Sequence, residues 1–378
     1  MVPFDLKIFT LSAPAISALV AMMVIFYDVF TEGRNHRRLK IKLILYYGCT
    51  IISSISIFLY FFYPGAFLWI NSLYMFSLMA MPMFLYAFIF NITKTSTDER
   101  FSKIHYIAPS LCAISLLIIS VFTPINEQML TIKGNGSYNG GSRLFFYASN
   151  GKLILRLAFS AIYITLIFMR LPRYRAYIHS YSSNESKSSL RWVPIYLIFM
   201  LGTFPLPFLA QFIARDALMS SGFAFIQVAL LITQHSFLAY HVVKGNYILQ
   251  ETTPEVLMPQ ANYSEKDNKN SSSLKKNKLT RKQFEKYIQT TRPYLKADLK
   301  ITDLVSDLQI NRTYISSFIN SEYGMNFSNY INTLRFNEFN RLREHPSTKD
   351  KSTAELSEMA GFGSYRSYSR VLEMMKKA

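Results

Sequence analysis

Five polar residues near the C-terminal end of this 378-residue chain fall on one face of a predicted helix. They provide one guanidinium, three hydroxyls and one amide: Arg312, Thr313, Ser316, Ser317 and Asn320. The opposite face of the same helix is apolar at Ile315, Phe318 and Ile319, which predicts that this face is buried. Guanidinium, hydroxyl and amide groups bind the phosphates and base edges of DNA. The five polar residues are therefore candidates for DNA contacts.

A second predicted helix precedes this one after a very short turn. Residues 299–308 carry apolar side chains at helical spacing, and Gln309 and Ile310 are left to form the turn. Asn311 then has a residue type preferred at the N-cap of the next helix. Two short helices joined in this way predict a helix-turn-helix, whose second helix is sized for the major groove. An ordinary helical hairpin is the alternative.

The same arrangement recurs closer to the C-terminal end. Ser352 and Glu355 have the spacing of a capping box, and we expect Leu356 and Met359 to face inward. After a Gly-Phe-Gly turn, the next helix should expose a second polar set: Tyr365, Arg366, Ser369 and Arg370. A connecting helix over 328–344 would separate the two pairs by roughly 25 Å. Helices held apart in this way can enter successive major-groove segments, which recur about every 34 Å.

Several runs of residues in this region occur together in a fixed order. They are Arg-Pro-Tyr-Leu at 292–295, Gly-Met-Asn-Phe-Ser-Asn-Tyr at 324–330, Arg335, Glu-Leu-Ser-Glu-Met-Ala-Gly-Phe at 355–362, and Ser-Tyr-Ser-Arg-Val at 367–371. On these runs the stretch from about 292 to 377 resembles the DNA-binding domain of the AraC/XylS family. The resemblance covers under a quarter of the chain. It implies monomer-type binding to promoter DNA through two helix-turn-helix units, with base contacts from the exposed positions of each second helix.

Some positions depart from that family's pattern. Val305 and Ser357 stand where the first helix of each motif usually has alanine, and Phe339 replaces another alanine in the connecting helix. The chain also ends at Ala378, before the proline-containing terminal helix that members commonly carry. These departures bear most on the packing of the second unit.

Composition divides the chain into three predicted parts. Residues 1–245 are strongly apolar, 246–279 form a polar linker, and 280–378 form a soluble helical domain. Thr280 and Gln283 have the spacing of a capping box at the start of that domain. The predicted fold class is all-α: a polytopic seven-helix transmembrane bundle followed by a soluble all-helical domain with two helix-turn-helix motifs.

Seven apolar stretches approach the roughly 20 residues needed to cross a bilayer. They are approximately residues 8–30, 41–63, 67–90, 104–123, 153–171, 192–213 and 221–243. The fifth carries Arg156, whose guanidinium can snorkel to the headgroups. The run Gly-Thr-Phe-Pro-Leu-Pro at 202–207 is the expected break in the sixth.

Charge around these stretches predicts the topology. With the N-terminus outside, 14 Lys and Arg residues flank the spans on the cytoplasmic side and 6 lie on the other side. An odd number of spans then places the C-terminal domain in the cytoplasm. From Lys275 onward the chain has 19 Lys and Arg against 11 Asp and Glu, which suits a polyanion such as DNA. We therefore expect a multi-pass protein of the inner (cytoplasmic) membrane.

The predicted outer loop at 125–152 is rich in Gly and Asn before the aromatic run Leu-Phe-Phe-Tyr at 144–147. This pattern predicts a small β-hairpin, serving either as a ligand-sensing lid or as a simple connector. Polar residues within the spans include Asp28, Asn71, Gln211, Gln227, Gln234 and His235. We expect them to make hydrogen bonds between helices rather than a ligand site.

Catalytic chemistry is not indicated. Cys49 and Cys112 lie in apolar stretches, and the 6 His residues show no metal-ligand spacing. The sequence contains no recognisable acid–base pair, nucleophile triad or phosphate-binding Gly loop, so no enzyme activity, cofactor or metal is expected.

The leading hypothesis is a membrane-anchored one-component transcription regulator. Its partners would be the lipid bilayer, double-stranded promoter DNA and RNA polymerase, with a small-molecule or protein signal. The alternative is a membrane receptor or transporter whose cytosolic tail docks a protein partner.

Overall fold

A computed structural model describes residues 4–31, 34–96, 99–184, 189–209, 213, 222–248, 279–348 and 350–377. Regular structure in these ranges is helical, apart from one isolated β-bridge, which confirms the all-α class. The chain divides into two compact units. The N-terminal unit is Met1–Pro172 with Leu190–Leu249, and the C-terminal unit is Arg173–Ser189 with Gln250–Ala378. Most of the predicted linker, 249–278, lies outside the described residues.

The N-terminal unit consists of packed helices, of which six among the described residues are long and apolar enough to cross a membrane. Its helices are α1 (Phe4–Thr31), α2 (Arg34–Phe62), α3 (Pro64–Ile92), α4 (Ile104–Phe122), α5 (Ile125–Lys133), α6 (Arg143–Ile178), α7 (Trp192–Gly202), α8 (Pro205–Leu209) and α9 (Gly222–Val243). Helix α3 is the central one, because most of its side chains are buried. The last residues of α6, 173–178, belong to the C-terminal unit.

The predicted sixth span is not one continuous helix. Helix α7 ends at Gly202, and the short helix α8 begins at Pro205, at the break that the sequence predicts. Proline has no backbone N–H to continue the helical hydrogen bonds, so the chain turns before it. The Thr203 hydroxyl donates to the Met200 carbonyl, and the Gln227 amide donates to the Gly202 carbonyl. The Met200 carbonyl also accepts from the Thr203 backbone N–H, so it is the Gly202 carbonyl that depends on a side chain at the break.

The predicted β-hairpin between 125 and 152 is wrong. Residues 125–133 form α5, and the aromatic run at 144–147 lies in the first turns of α6. The Ser142 hydroxyl accepts a hydrogen bond from the Phe145 backbone N–H, as an N-cap residue does. Phe145 is fully buried against Met75 and Leu116. A short aromatic run has no clear period of its own, and this tertiary contact selects the helix.

Polar side chains within the apolar helices bond to neighbouring helices, as expected for packing. Among the described ones, Asp28 pairs with Lys40, and Asn71 accepts from Lys152. The amide of Gln234 donates to the hydroxyls of Tyr46 and Tyr196 at 3.2 and 2.9 Å. His235 Nδ1 lies 2.8 Å from the Ser17 hydroxyl. Gln211, which the sequence also singled out, lies outside the described residues.

The C-terminal unit is built from six further α-helices in its described part. They are α10 (Arg281–Thr291), α11 (Ile301–Leu308), α12 (Arg312–Tyr323), α13 (Phe327–Glu344), α14 (Thr353–Met359) and α15 (Tyr365–Lys377), with short 3-10 turns at Pro293–Leu295 and Pro346–Thr348. Helix α13 lies between the pair α11–α12 and the pair α14–α15 and packs against both pairs. Each pair therefore shares a core with the same central helix.

Two apolar cores hold these pairs to α13. In the first, Phe284 of α10 packs edge-on against Phe318 of α12 with ring centroids 5.3 Å apart, and lies 5.8 Å from the ring of Tyr330 on α13. In the second, Phe339 and Tyr368 have ring centroids 4.2 Å apart. A large residue at 339 is therefore accommodated by a ring contact with α15. Burying aromatic side chains of this size dominates the energetics of such small cores.

The turn between α14 and α15 offers a sharp test of this packing. Gly361 has a φ of 90°, and a Cβ there would lie 2.7 Å from Leu295 Cα and against the Tyr294 carbonyl. We expect Gly361→Ala to destabilise the C-terminal unit by about 2 kcal/mol or more, because strain and overlap with backbone add. Hydrogen exchange of α14 and α15 in the purified full chain measures this loss.

Gly324→Ala is the matched control for this experiment. Gly324 has a φ of 64° but open space around its Cβ position, so we expect only the conformational cost of about 1 kcal/mol. Equal effects of the two substitutions would contradict the close packing described here.

Candidate nucleic-acid interface

The first helix pair joins α11 to α12 through a turn of three residues. Gln309 ends α11 in the left-handed conformation, with a φ of 54°. The Asn311 side chain accepts from the Tyr314 backbone N–H at 2.7 Å, as predicted for the N-cap of α12. Gly324 ends α12, also with positive φ. Local residue types thus determine both ends of α12.

The predicted contact residues of α12 differ in exposure. Thr313, Ser317 and Asn320 are exposed, whereas Arg312 and Ser316 are half-buried. The guanidinium of Arg312 lies 4.5 Å from the centroid of the Tyr177 ring and donates a hydrogen bond to the Tyr177 hydroxyl. The sequence pattern did not reveal this arrangement, because Tyr177 is 135 positions away.

The second helix pair joins α14 to α15. The Ser352 hydroxyl and the Glu355 carboxylate form the predicted capping box at the start of α14. These hydrogen bonds from Ser352 hold the pKa of Glu355 below its ordinary value. Leu356 is buried as expected, but Met359 is exposed, and Ala360 and Phe362 fill the core at this end of α14 instead.

Helix α15 carries the second predicted set. Tyr365, with 53% of its surface exposed, and Arg366 face solvent, whereas Ser369 and Arg370 are half-buried. The Ser369 hydroxyl donates to the Tyr365 carbonyl at 3.1 Å. Of the predicted set on α15, the exposed residues are therefore Tyr365 and Arg366, at the N-terminal end of the helix.

Beneath the two pairs, Arg335 of α13 is almost fully buried, with 1% of its surface exposed. All five of its N–H groups have acceptors: the carbonyls of Tyr294, Ser183, Lys296 and Ala297 and the amide oxygen of Asn332. Burial lowers the pKa of Arg335 to about 10, and Asp298 opposes that effect. The side chain thus remains a cation at neutral pH.

A second charged group on α13 neutralises nearby arginines. The carboxylate of Glu338 bonds to Arg341 at 2.6 Å and lies 3.6 Å from Arg292. The hydrogen bonds from Arg341 outweigh the effect of burial and hold the pKa of Glu338 below its ordinary value. Arg366 remains exposed on its helix.

The C-terminal unit includes a segment that is separated in the sequence from the rest of the unit. Residues 173–184, the end of α6 and the bend after it, lie within the C-terminal unit. Tyr174, Ile178 and Tyr181 are buried there, at the spacing of one helix face. That spacing continues past residue 171, the predicted end of the fifth span, and was the signal available in the sequence.

Metal-binding geometry is not found in the part of the chain that the structure describes. Comparison with known proteins gives no match: no protein family, no curated protein and no solved structure matches this chain.

The buried guanidinium of Arg335 generates a direct test. We expect Arg335→Met to destabilise the C-terminal unit by on the order of 3 kcal/mol, since five acceptors lose their donor at once. Hydrogen exchange of α13 in the full chain measures this. Arg343→Met, on the exposed face of the same helix, should change stability by less than about 0.5 kcal/mol. Similar effects of the two changes would show that the Arg335 contacts do not hold the unit together.

Proposed function

We propose that this chain is a membrane-anchored one-component transcription regulator that binds double-stranded promoter DNA. The proposal rests mainly on the two short-turn helix pairs, each presenting a polar second helix, packed on one central helix. Guanidinium, hydroxyl and amide groups on those helices suit phosphates and base edges. The pairs would act as two AraC-type helix-turn-helix units, with α12 and α15 in successive major-groove segments.

The central helix supports this reading by its length. Helix α13 has 18 residues, which corresponds to roughly 27 Å at 1.5 Å per residue. A rigid helix of this length between the pairs suits two helices that bind one turn of DNA apart. The proposed contact residues are those that the sequence singled out on α12 and α15. Among them Thr313, Ser317, Asn320, Tyr365 and Arg366 are the exposed ones.

The membrane part of the proposal rests on the apolar helices and on charge. Six helices are long and apolar enough to span, and α7 with the residues after it would supply a seventh, broken span. Together with the excess of Lys and Arg on one side, this favours an inner-membrane protein with its C-terminal unit in the cytoplasm. There the unit would meet promoter DNA and RNA polymerase.

Binding by α15 is tested with Arg366→Ala in the detergent-solubilised full chain. We expect operator affinity to fall by about 1–3 kcal/mol if the guanidinium contacts a base. A contact with phosphate alone would instead reduce the salt slope of binding by about one. Anisotropy titrations against duplex DNA from upstream of the chain's own coding sequence, at several salt concentrations, separate these cases.

Lys286→Ala is the matched control, because Lys286 is an exposed cation on α10, outside both pairs. Its affinity should match that of the unaltered chain. The absence of any salt-sensitive binding would favour the alternative, a tail that docks a protein.

Topology is tested separately by a reporter fused after Ala378. We expect activity from a reporter that works only in the cytoplasm and none from one that works only outside, because the proposed seven spans are odd in number. The opposite result would separate the C-terminal unit from the chromosome and end the proposal.

A further inference from the structure

Residues 173–184 pair with the C-terminal unit through backbone hydrogen bonds. The Ser183 N–H donates to the Leu299 carbonyl at 3.2 Å, and the Ile301 N–H donates to the Tyr181 carbonyl at 2.9 Å. Ser182 and Lys300 thus face each other as an antiparallel bridge. These bonds lie at the start of α11, the first helix of the first pair.

Further along, the same residues reach α13. The His179 carbonyl accepts from the Ser328 N–H at 2.9 Å, and the Ser183 carbonyl accepts from buried Arg335 at 3.2 Å. The Asn184 amide donates to Asp298 at 2.5 Å. The 173–184 segment is therefore bound at several separate points, which gives it a defined position on the C-terminal unit.

At one of these points the segment holds a proposed DNA contact. The Arg312 guanidinium lies 4.5 Å from the Tyr177 ring centroid and 5.1 Å from that of Tyr181. The two rings are nearly parallel, at 20°. The Tyr177 hydroxyl also contacts the guanidinium. Arg312 is the first residue of α12, the end of a recognition helix that approaches base edges.

We propose that the 173–184 segment is an autoinhibitory element that competes with DNA for Arg312 and for the N-terminal end of α12. This inference rests on the proposed function. A guanidinium in contact with both tyrosine rings has to leave them before it can bind a phosphate or a guanine. Binding of DNA and docking of the segment therefore oppose each other through one side chain and one helix end.

The segment also has a covalent connection through which a signal can act. Residues 173–178 are the last residues of α6, one of the six apolar helices. A signal that displaces or unwinds the end of α6 moves Tyr177 away from Arg312. The regulated equilibrium is then between a docked and a released segment, and any ligand that favours the released state tightens DNA binding.

The docked state is trapped with a disulfide. In a chain carrying Cys49→Ala and Cys112→Ala, the changes Ser182→Cys and Lys300→Cys place two thiols at the bridge. Bridge partners of this kind, flanked rather than joined by the hydrogen bonds, have Cα atoms about 4.5 Å apart, which permits a disulfide. We expect oxidation in membranes to cross-link this pair, detected by mass spectrometry of the joined peptides. The control pair Ser180→Cys and Lys300→Cys should not cross-link.

DNA binding of the cross-linked full chain then tests inhibition. We expect the oxidised protein to bind duplex DNA from upstream of its coding sequence about ten-fold more weakly than the same protein after reduction. In a chain without introduced cysteines, Tyr177→Ala should bind about ten-fold more tightly, as expected on removing a cation–π contact. Tyr177→Phe, which keeps the ring, should have a smaller effect. His179→Ala is the control, since His179 contacts α13 through its backbone carbonyl.

Each outcome has one meaning. Absence of the cross-link shows that the segment is not docked and overturns the inference whatever happens with DNA. A cross-link that leaves DNA affinity unchanged, or a Tyr177→Ala protein that binds no more tightly, overturns inhibition alone. A cross-link in a protein that binds no DNA under any condition refutes the proposed function, and the inhibition that rests on it falls as well.

Discussion

The guanidinium of Arg335 lies where three parts of the C-terminal unit meet: α13 itself, the backbone at 294–297, and the 173–184 segment. A charge removed from water is costly unless its donors are satisfied, and here all five N–H groups have acceptors. Four of those acceptors are backbone carbonyls, whose positions are fixed by the chain around them. The Arg335 side chain therefore determines how closely these three parts approach one another. Because Arg335 belongs to α13, the helix against which both pairs pack, its contacts also bear on the position of both pairs.

The five bonds are unequally divided among the three parts. Three connect Arg335 to the backbone at 294–297, one to Asn332 in its own helix, and one to Ser183. If the 173–184 segment left, one N–H would lose its acceptor, at a cost of about 1–3 kcal/mol before water replaced it. The remaining four bonds would still hold the unit together. Within this network the segment provides only one of five acceptors, and its other attachments include the backbone bonds to Leu299, Ile301 and Ser328. Its release would therefore leave the contacts between α13 and 294–297 in place, while a ligand that favours release has to offset all of those attachments.

Features of this fold that depend on residues close together in the sequence were predictable, and contacts between residues far apart in the sequence were not. The capping boxes at Thr280 and Ser352 and the N-cap at Asn311 are confirmed, because each depends on residues three positions apart. The helical class follows from the same periodicity. In contrast, the contact between Ser183 and Leu299 joins positions 116 apart, and a single sequence has no local signal for such a pairing. The half-burial of Arg312 could not be predicted for the same reason, although its residue type and helix were.

The two helices proposed to contact DNA, α12 and α15, differ in how their first residues are held. On α12 the first residue, Arg312, is held by Tyr177 and Tyr181, whereas on α15 the first two residues, Tyr365 and Arg366, are exposed. Under the proposed function, α15 could bind phosphate and bases while the segment is docked, giving weak and sequence-tolerant binding. Release of α12 would then let a second helix bind the same DNA. Because α13 holds α12 close to the DNA that α15 already contacts, its effective concentration there is high and no diffusion step is needed. Under this mechanism, release of the segment changes the sequence specificity of DNA binding more than it changes whether DNA is bound at all. The reason is that one helix already contacts the DNA when the second becomes available.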